Sequence, residues 1–208
     1  MAEQTAPQQQ RSREKVSRIQ EATATLLETT SYEDLGTKMI AAEAGVSVGV
    51  LYRYFADKEA IVASLVRRWL ESDVDVIEQV TTQPLPASSQ DFAAKLITAI
   101  ADAFRTEPGR RNIWYHGPNM PTLKTTVEQS DLAIAELIHA ALVRGYAMPD
   151  TPESRRRVRL AVEIASHLLE VAFRDNYEGD ADVLADAALI VDRYLFAPPT
   201  SRAAASST

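Results

Sequence analysis

Tyr52, Arg53 and Tyr54 stand in one run with Phe55, and Lys58 follows three residues beyond it. Phenol, guanidinium and ammonium groups at such spacing donate hydrogen bonds to anions and do not make a nucleophile–base pair. Upstream, Val48, Gly49 and Val50 are small and apolar, and Thr37 and Lys38 add a hydroxyl and a second ammonium. This is chemistry for gripping an extended polyanion, with a small surface left for close approach. His116, His139 and His167 stand apart, with no cysteine and no G-x-S-x-G run in the chain. No catalytic residue, metal site or cofactor is therefore expected, and the missing cysteines exclude disulfides and thiol redox sensing.

The elements that would position these residues can be read along 37 to 59, TKMIAAEAGVSVGVLYRYFADKE. Thr37 is a candidate N-cap for a short helix with Ile40, Ala41 and Ala44 on its apolar face. Gly45 falls where a helix end favours a left-handed residue, and Ser47 can cap the next helix. There Leu51 and Phe55, four apart, share a buried face. Gly49 in a helix costs about 1 kcal/mol against alanine, which close approach to a DNA groove would justify. Two short helices and a tight turn place the second helix in the major groove. Val48, Gly49 and Val50, in its first turn, suggest apolar contacts to base edges. Lys38 could contact guanine or phosphate. Arg53 could reach phosphate or pair with an acid, and Arg11, Arg13, Lys15 and Arg18 could touch DNA or form a solvated face.

AAEAGVSVGVLYRYFADKEAIV resembles the DNA-binding segment of the TetR family of bacterial transcriptional regulators, specifically over residues 13 to 66 and as a helical plan beyond about residue 75. The resemblance implies that Thr37, Tyr52, Tyr54 and Lys58 hold the phosphate backbone. It also implies a homodimer on a double-stranded DNA operator and a small-molecule effector bound among helices five to eight.

Composition fits. Residues 1 to 68 carry nine basic and nine acidic residues, so the net charge of −7 lies entirely in residues 69 to 208, away from the expected DNA face. No run of about 18 apolar residues suggests a membrane span, and the polar N-terminal segment lacks a signal region, so a cytoplasmic location is expected. The fold class expected is all-α, an N-terminal three-helix helix-turn-helix domain joined to a helical ligand-binding and dimerisation domain. Residues 1–10 are expected to be a disordered arm, 11–58 the DNA-binding domain, 59–197 the second domain and 198–208 a disordered tail. The first helix is expected over 13 to 29. A fourth, from about 57 to 80, links the domains, and others are expected over about 123 to 144 and 153 to 176.

The candidate effector wall is Trp114, Tyr115 and His116 with Asn119 and Met120, completed by Phe92, Phe104, Tyr146, His167 and Phe173. An apolar or aromatic effector suits that mixture. Glu163 and Glu170 flank His167 and could orient a cationic ligand, although Arg159 and Arg174, each four residues away, offer pairing instead. The two last helices have wide apolar coverage, suggesting burial on two sides and a dimer interface through Val158, Val162, Ala165, Leu168, Leu169, Leu184, Ala188, Val191 and Leu195. A repressor released from a pseudo-palindromic operator by its ligand is the reading adopted. An activator of the same fold, or a helical ligand- or partner-binding module without DNA binding, are the alternatives.

Overall fold

The computed structural model describes residues 5–116 and 121–196, with side chains described over 10–114 and 123–196. The described residues fold into helices α1 (Thr5–Leu26), α2 (Thr37–Glu43), α3 (Val48–Tyr52), α4 (Lys58–Thr82), α5 (Ser89–Thr106), α6 (Arg110–His116), α7 (Pro121–Gly145), α8 (Pro152–Phe173) and α9 (Ala181–Phe196), without strands among them. Among the described residues no helix is long and apolar enough to cross a membrane.

Three expected boundaries move, the end of α1 among them, at Leu26 rather than 29. α1 begins at Thr5, so most of the segment expected to be without structure is helical. Pro7 falls in the first turn, where its missing N–H breaks no helical bond, and the glutamines that follow are good helix formers. α8 stops at Phe173 rather than 176. Gly179 (φ +78°) then reverses the chain, and the Asp180 carboxylate accepts from the amides of Asp182 and Val183 to open α9.

α1 to α3 and the first half of α4 enclose one core around Ile19, Leu27, Ile40, Leu51, Ile61, Leu65 and Trp69. At 1.5 Å per residue the 25 residues of α4 run well past that core, so Ile77 and Val80 enter a second one with residues of α5, α7, α8 and α9. Phe104, Leu169, Phe173 and Ala187 centre a third, where α5 meets α8 and α9.

The residues expected to meet a second subunit mostly belong to this chain's own cores. Val158, Val162, Leu169, Ala188, Val191 and Leu195 are buried within the single chain, while Ala165, Leu168 and Leu184 are half-buried. The cause is helical phase: Val158, Val162, Ala165 and Leu169 lie on the side of α8 facing the cores. Leu160, Ile164, Leu168 and Val171 form a separate apolar strip more than a quarter-turn away. The wide coverage is there, and Leu168 alone of the expected α8 residues lies on the second strip.

Candidate nucleic-acid interface and ligand cavity

α2 ends as its sequence dictates. Ala44 is the C-cap, Gly45 takes φ +61°, and the amides of Gly45 and Val46 bond the carbonyls of Ala42 and Ala41 at 3.1 and 2.9 Å. This paired arrangement satisfies carbonyls that a helix end leaves open. Arg18, on α1, donates to the carbonyls of Ala44 and Gly45 at 2.6 and 3.3 Å, tying the turn to the first helix. It was grouped with possible DNA contacts in the sequence; its role here is to hold the turn. Ser47 caps α3, its hydroxyl accepting from Val50 N at 3.2 Å. Leu51 and Phe55 are buried as their spacing requires.

Thr37 is not an N-cap. Gly36 occupies that position, and the Thr37 hydroxyl lies 3.1 Å from the Tyr52 hydroxyl, joining the starts of α2 and the end of α3. Gly49 is exposed, and a methyl group built on it would meet nothing closer than Ser47 Oγ at 4.0 Å. The chain itself therefore leaves room for a side chain there. Tyr52, Lys38 and Arg53 are exposed, and among the described residues neither Lys38 nor Arg53 forms an ion pair, so pairing with an acid does not account for Arg53. Val48, Val50 and Tyr54 are half-buried, Val48 and Tyr54 leaning on the first core. Lys58 is engaged inside the chain: its ammonium donates to the carbonyls of Tyr32 and Glu33 at 2.6 and 3.3 Å and lies 4.3 Å from the Tyr32 ring centre. It braces the α1–α2 loop against the start of α4, whose cap is Asp57.

A cavity of about 310 Å³ opens among α4, α5, α6, α7 and α8, within the size of small-molecule sites. Of the expected wall, Phe104, Trp114, Glu163, His167 and Glu170 line it. Phe92 and Tyr146 do not. Their rings pack together at 5.5 Å, and the Tyr146 hydroxyl donates to the Pro86 carbonyl at 2.8 Å, fastening α7 to the α4–α5 loop. Phe173 is stacked behind Phe104 at 5.2 Å and is fully buried, a supporting layer rather than a wall. The side chains of Tyr115 and His116, and the whole of Asn119 and Met120, lie outside the described residues. Glu163 and Glu170 do not pair with Arg159 and Arg174 among the described residues; Glu170 instead lies 3.2 Å from His167.

Sequence reading missed the cavity's most polar feature. Asp73, on α4, and Arg110, on α6, form a buried two-pronged ion pair at 2.9 and 2.5 Å. The guanidinium also lies 4.2 Å from the centre of the Phe104 ring, and its Nε–H has no partner. Asp131, half-buried on α7, has its carboxyl pushed up to about 6, first by burial and then by repulsion from Glu163 and Asp73. Both acids carried a signal. Asp73 interrupts the apolar stripe Leu70–Ile77, and Asp131 interrupts Val127–Ile134–Ile138; charges on a buried stripe are rare without a reason. Nothing in EPGRRN tells the buried Arg110 from its neighbour Arg111.

α6 bridges the cavity and the first core. Arg110 and Trp114 face the cavity, whereas Ile113 joins the first core and Asn112 Nδ2 donates to the Leu27 carbonyl at 2.5 Å. Gly109, at φ +68°, lets the chain enter α6 directly against α1: an added methyl would sit 2.5 Å from both the Ala24 carbonyl and the Leu27 side chain.

Two family models match this chain. That of bacterial regulatory proteins of the tetR family covers residues 19–65, and the tetracyclin repressor-like C-terminal domain covers residues 87–198, more than half the length. The chain belongs to the TetR family of bacterial regulatory proteins. As a TetR-family member it is a DNA-binding transcriptional regulator by fold, with α2 and α3 as its helix-turn-helix. A TetR-family regulator from Streptomyces coelicolor is similar to it, with 25% identity, 88% of this chain and 97% of that one covered, and a TM-score of 0.71. The regulator FadR from Bacillus subtilis, in complex with stearoyl-CoA, shares the fold at 16% identity over 86% of this chain and 97% of that one, with a TM-score of 0.65. A putative TetR-family regulator from Mesorhizobium loti does so at 22%, 88%, 96% and 0.64. No curated protein matches this TetR-family chain.

Proposed function

We propose that this TetR-family regulator is a homodimeric repressor that leaves a pseudo-palindromic operator when a small molecule occupies the cavity. On DNA, the first turn of α3 meets the bases through Val48, Gly49 and Val50, and Thr37, Tyr52, Arg53 and Tyr54 hold phosphates beside it. Lys38 contacts guanine or phosphate at the start of α2. Lys58 contributes mainly by bracing the loop before α2.

The observation that carries ligand response is the double membership of α6. One seven-residue helix gives Arg110 and Trp114 to the cavity and Asn112 and Ile113 to the DNA-binding side. α4 is coupled to it by the Asp73–Arg110 pair, and Trp69 Nε1, donating to Glu107 at 3.0 Å, ties α4 to the end of α5 just before it. A ligand that displaces α6 thus displaces α1 and α4 together. In a dimer such a motion changes the separation of the two recognition helices, and half-sites spaced by about 34–36 Å tolerate little change.

For the dimer, the strip Leu160, Ile164, Leu168 and Val171 on α8, with Ile190 on α9, supplies the face; Val171 and Ile190 are 38% and 43% exposed, high for large aliphatic side chains in neighbouring helices.

The test is fluorescence anisotropy on the DNA flanking this protein's own gene and on the same DNA scrambled. The expected result is affinity on the order of 10⁻⁸ M or tighter for the native DNA and at least 10³-fold weaker for the scrambled. Equal, salt-sensitive affinity for both would overturn the operator reading. Retention on DNA at saturation with every compound that changes Trp114 fluorescence would overturn ligand release.

A further inference from the structure

The polar wall of the cavity has a sign. Four carboxyl groups reach it, from Asp73, Asp131, Glu163 and Glu170, against a single arginine. That arginine is committed, with both terminal nitrogens on Asp73 and its face against Phe104. Glu170 has His167 at 3.2 Å. Asp131 and Glu163 remain. They lie close enough to repel one another across α7 and α8, and among the described residues neither has a hydrogen bond or an ion pair. Asp131, half-buried, is poorly solvated, and neither it nor the exposed Glu163 has a counter-charge beside a void walled largely by aliphatic and aromatic groups. An anionic ligand would add a third negative charge, and the charge of the lining arginine, whose Nε–H alone is open, is already neutralised by Asp73. A neutral one would leave the pair unbalanced. A cation cancels the repulsion, and the nearby Trp114 ring favours the same charge.

We propose that the cavity takes an amphipathic cation, a protonated amine or quaternary ammonium on an apolar body, with its head at Asp131 and Glu163 and its body toward Trp114 and Ile100. This rests on the reading of the cavity as the effector site, and it names the effector's chemical class. The other charged groups facing Asp131 are Asp73 and its partner Arg110, with His167 and Glu170 further along the α8 wall. As the solution is acidified from pH 7.5 to 5.5 Asp131 takes up a proton, and cation binding weakens accordingly.

The experiment uses three ligands of one chain length, decylamine, decanol and decanoate, below their micellar concentrations. Binding to the full-length protein is followed by calorimetry at pH 7.5 and 5.5, and release of bound DNA is followed in parallel. Decylamine is expected to bind about tenfold or more tightly than decanol, with decanoate weakest, the difference a charge-assisted contact supplies. Asp131→Asn and Glu163→Gln should each remove most of that preference, bringing decylamine affinity toward that of decanol measured on the same variant. Glu163 is exposed, so its variant leaves the fold intact even should Asp131→Asn perturb it. Decanoate binding as tightly as decylamine, a preference untouched by both substitutions, or binding of none of the three would overturn the proposal. Charge-dependent decylamine binding that leaves DNA affinity unchanged would keep the cation site and instead remove the cavity's role as the switch.

Discussion

Gly49 separates a demand of the fold from a demand of function. A side chain there meets open space and the backbone is helical, so the chain gains from any better helix former. Gly49→Leu is expected to leave the melting temperature unchanged or higher while abolishing operator binding in gel-shift and anisotropy assays; retained affinity would take α3 out of the groove. Asp131 shows the same separation by titration. Its folded value of about 6 lies above the ordinary 3.8, so the folded chain holds the proton more tightly than the unfolded one. Stability from this group is therefore fully present below about pH 3.8 and lost as pH rises through about 6. Because the group is partly solvated, the loss is discounted to the order of 1 kcal/mol. Asp131→Asn should melt higher than the parent at pH 7.5 and level with it at pH 4, and a constant difference across that range would exclude the titration. At this scale Gly45, Ser47 and Leu51 were legible because local backbone chemistry decides them. Thr37, Lys58 and Arg18 were not, since their partners lie 15 to 27 residues away in sequence.

Among the elements, the helices themselves were readable from period and punctuation, whereas the sequence gives α8 two apolar faces without saying which looks inward. α6 was the least legible. Seven residues are too few for a period to declare a face, and its value comes from contacts at both ends of the chain's two halves. Asn112 isolates its role. It touches neither the cavity nor the first turn of α3, yet its amide holds α6 to the end of α1. Asn112→Ala should lower stability by about 1 kcal/mol, the usual worth of one such bond. It should leave ligand affinity in the absence of DNA nearly unchanged, and reduce the ratio of DNA affinities measured with and without ligand. Since coupling is reciprocal, the same factor must appear when ligand affinity is measured with and without operator. An unchanged ratio in both directions would place the transmission in α4 alone.

For the whole molecule, charge and symmetry act together. Residues 1–68, bearing α1 to α3, are neutral in sum and the rest carries the −7, so long-range repulsion from DNA is set at a distance and a single subunit has few cations with which to hold phosphates. In the proposed homodimer each subunit alone would be a weak binder, and affinity would depend on two recognition helices engaging at once, where the second binds at the effective concentration fixed by the first. The strip through Ile164 is the face available for that pairing, because the neighbouring apolar residues of α8 are already enclosed by α5, α7 and α9. Ile164→Glu places a charge on this strip, half-buried in the single chain, where a monomer keeps it partly solvated and a dimer would bury it against its own copy. Sedimentation should show monomers at micromolar concentration, with helical content by circular dichroism unchanged. Operator affinity should fall by about 10² or more, toward that of scrambled DNA, since avidity of that size is lost with the second site. A variant that still sediments as a dimer places the interface elsewhere. A monomer that keeps full operator affinity shows that one subunit suffices, and ligand control through the spacing of two recognition helices then fails with it.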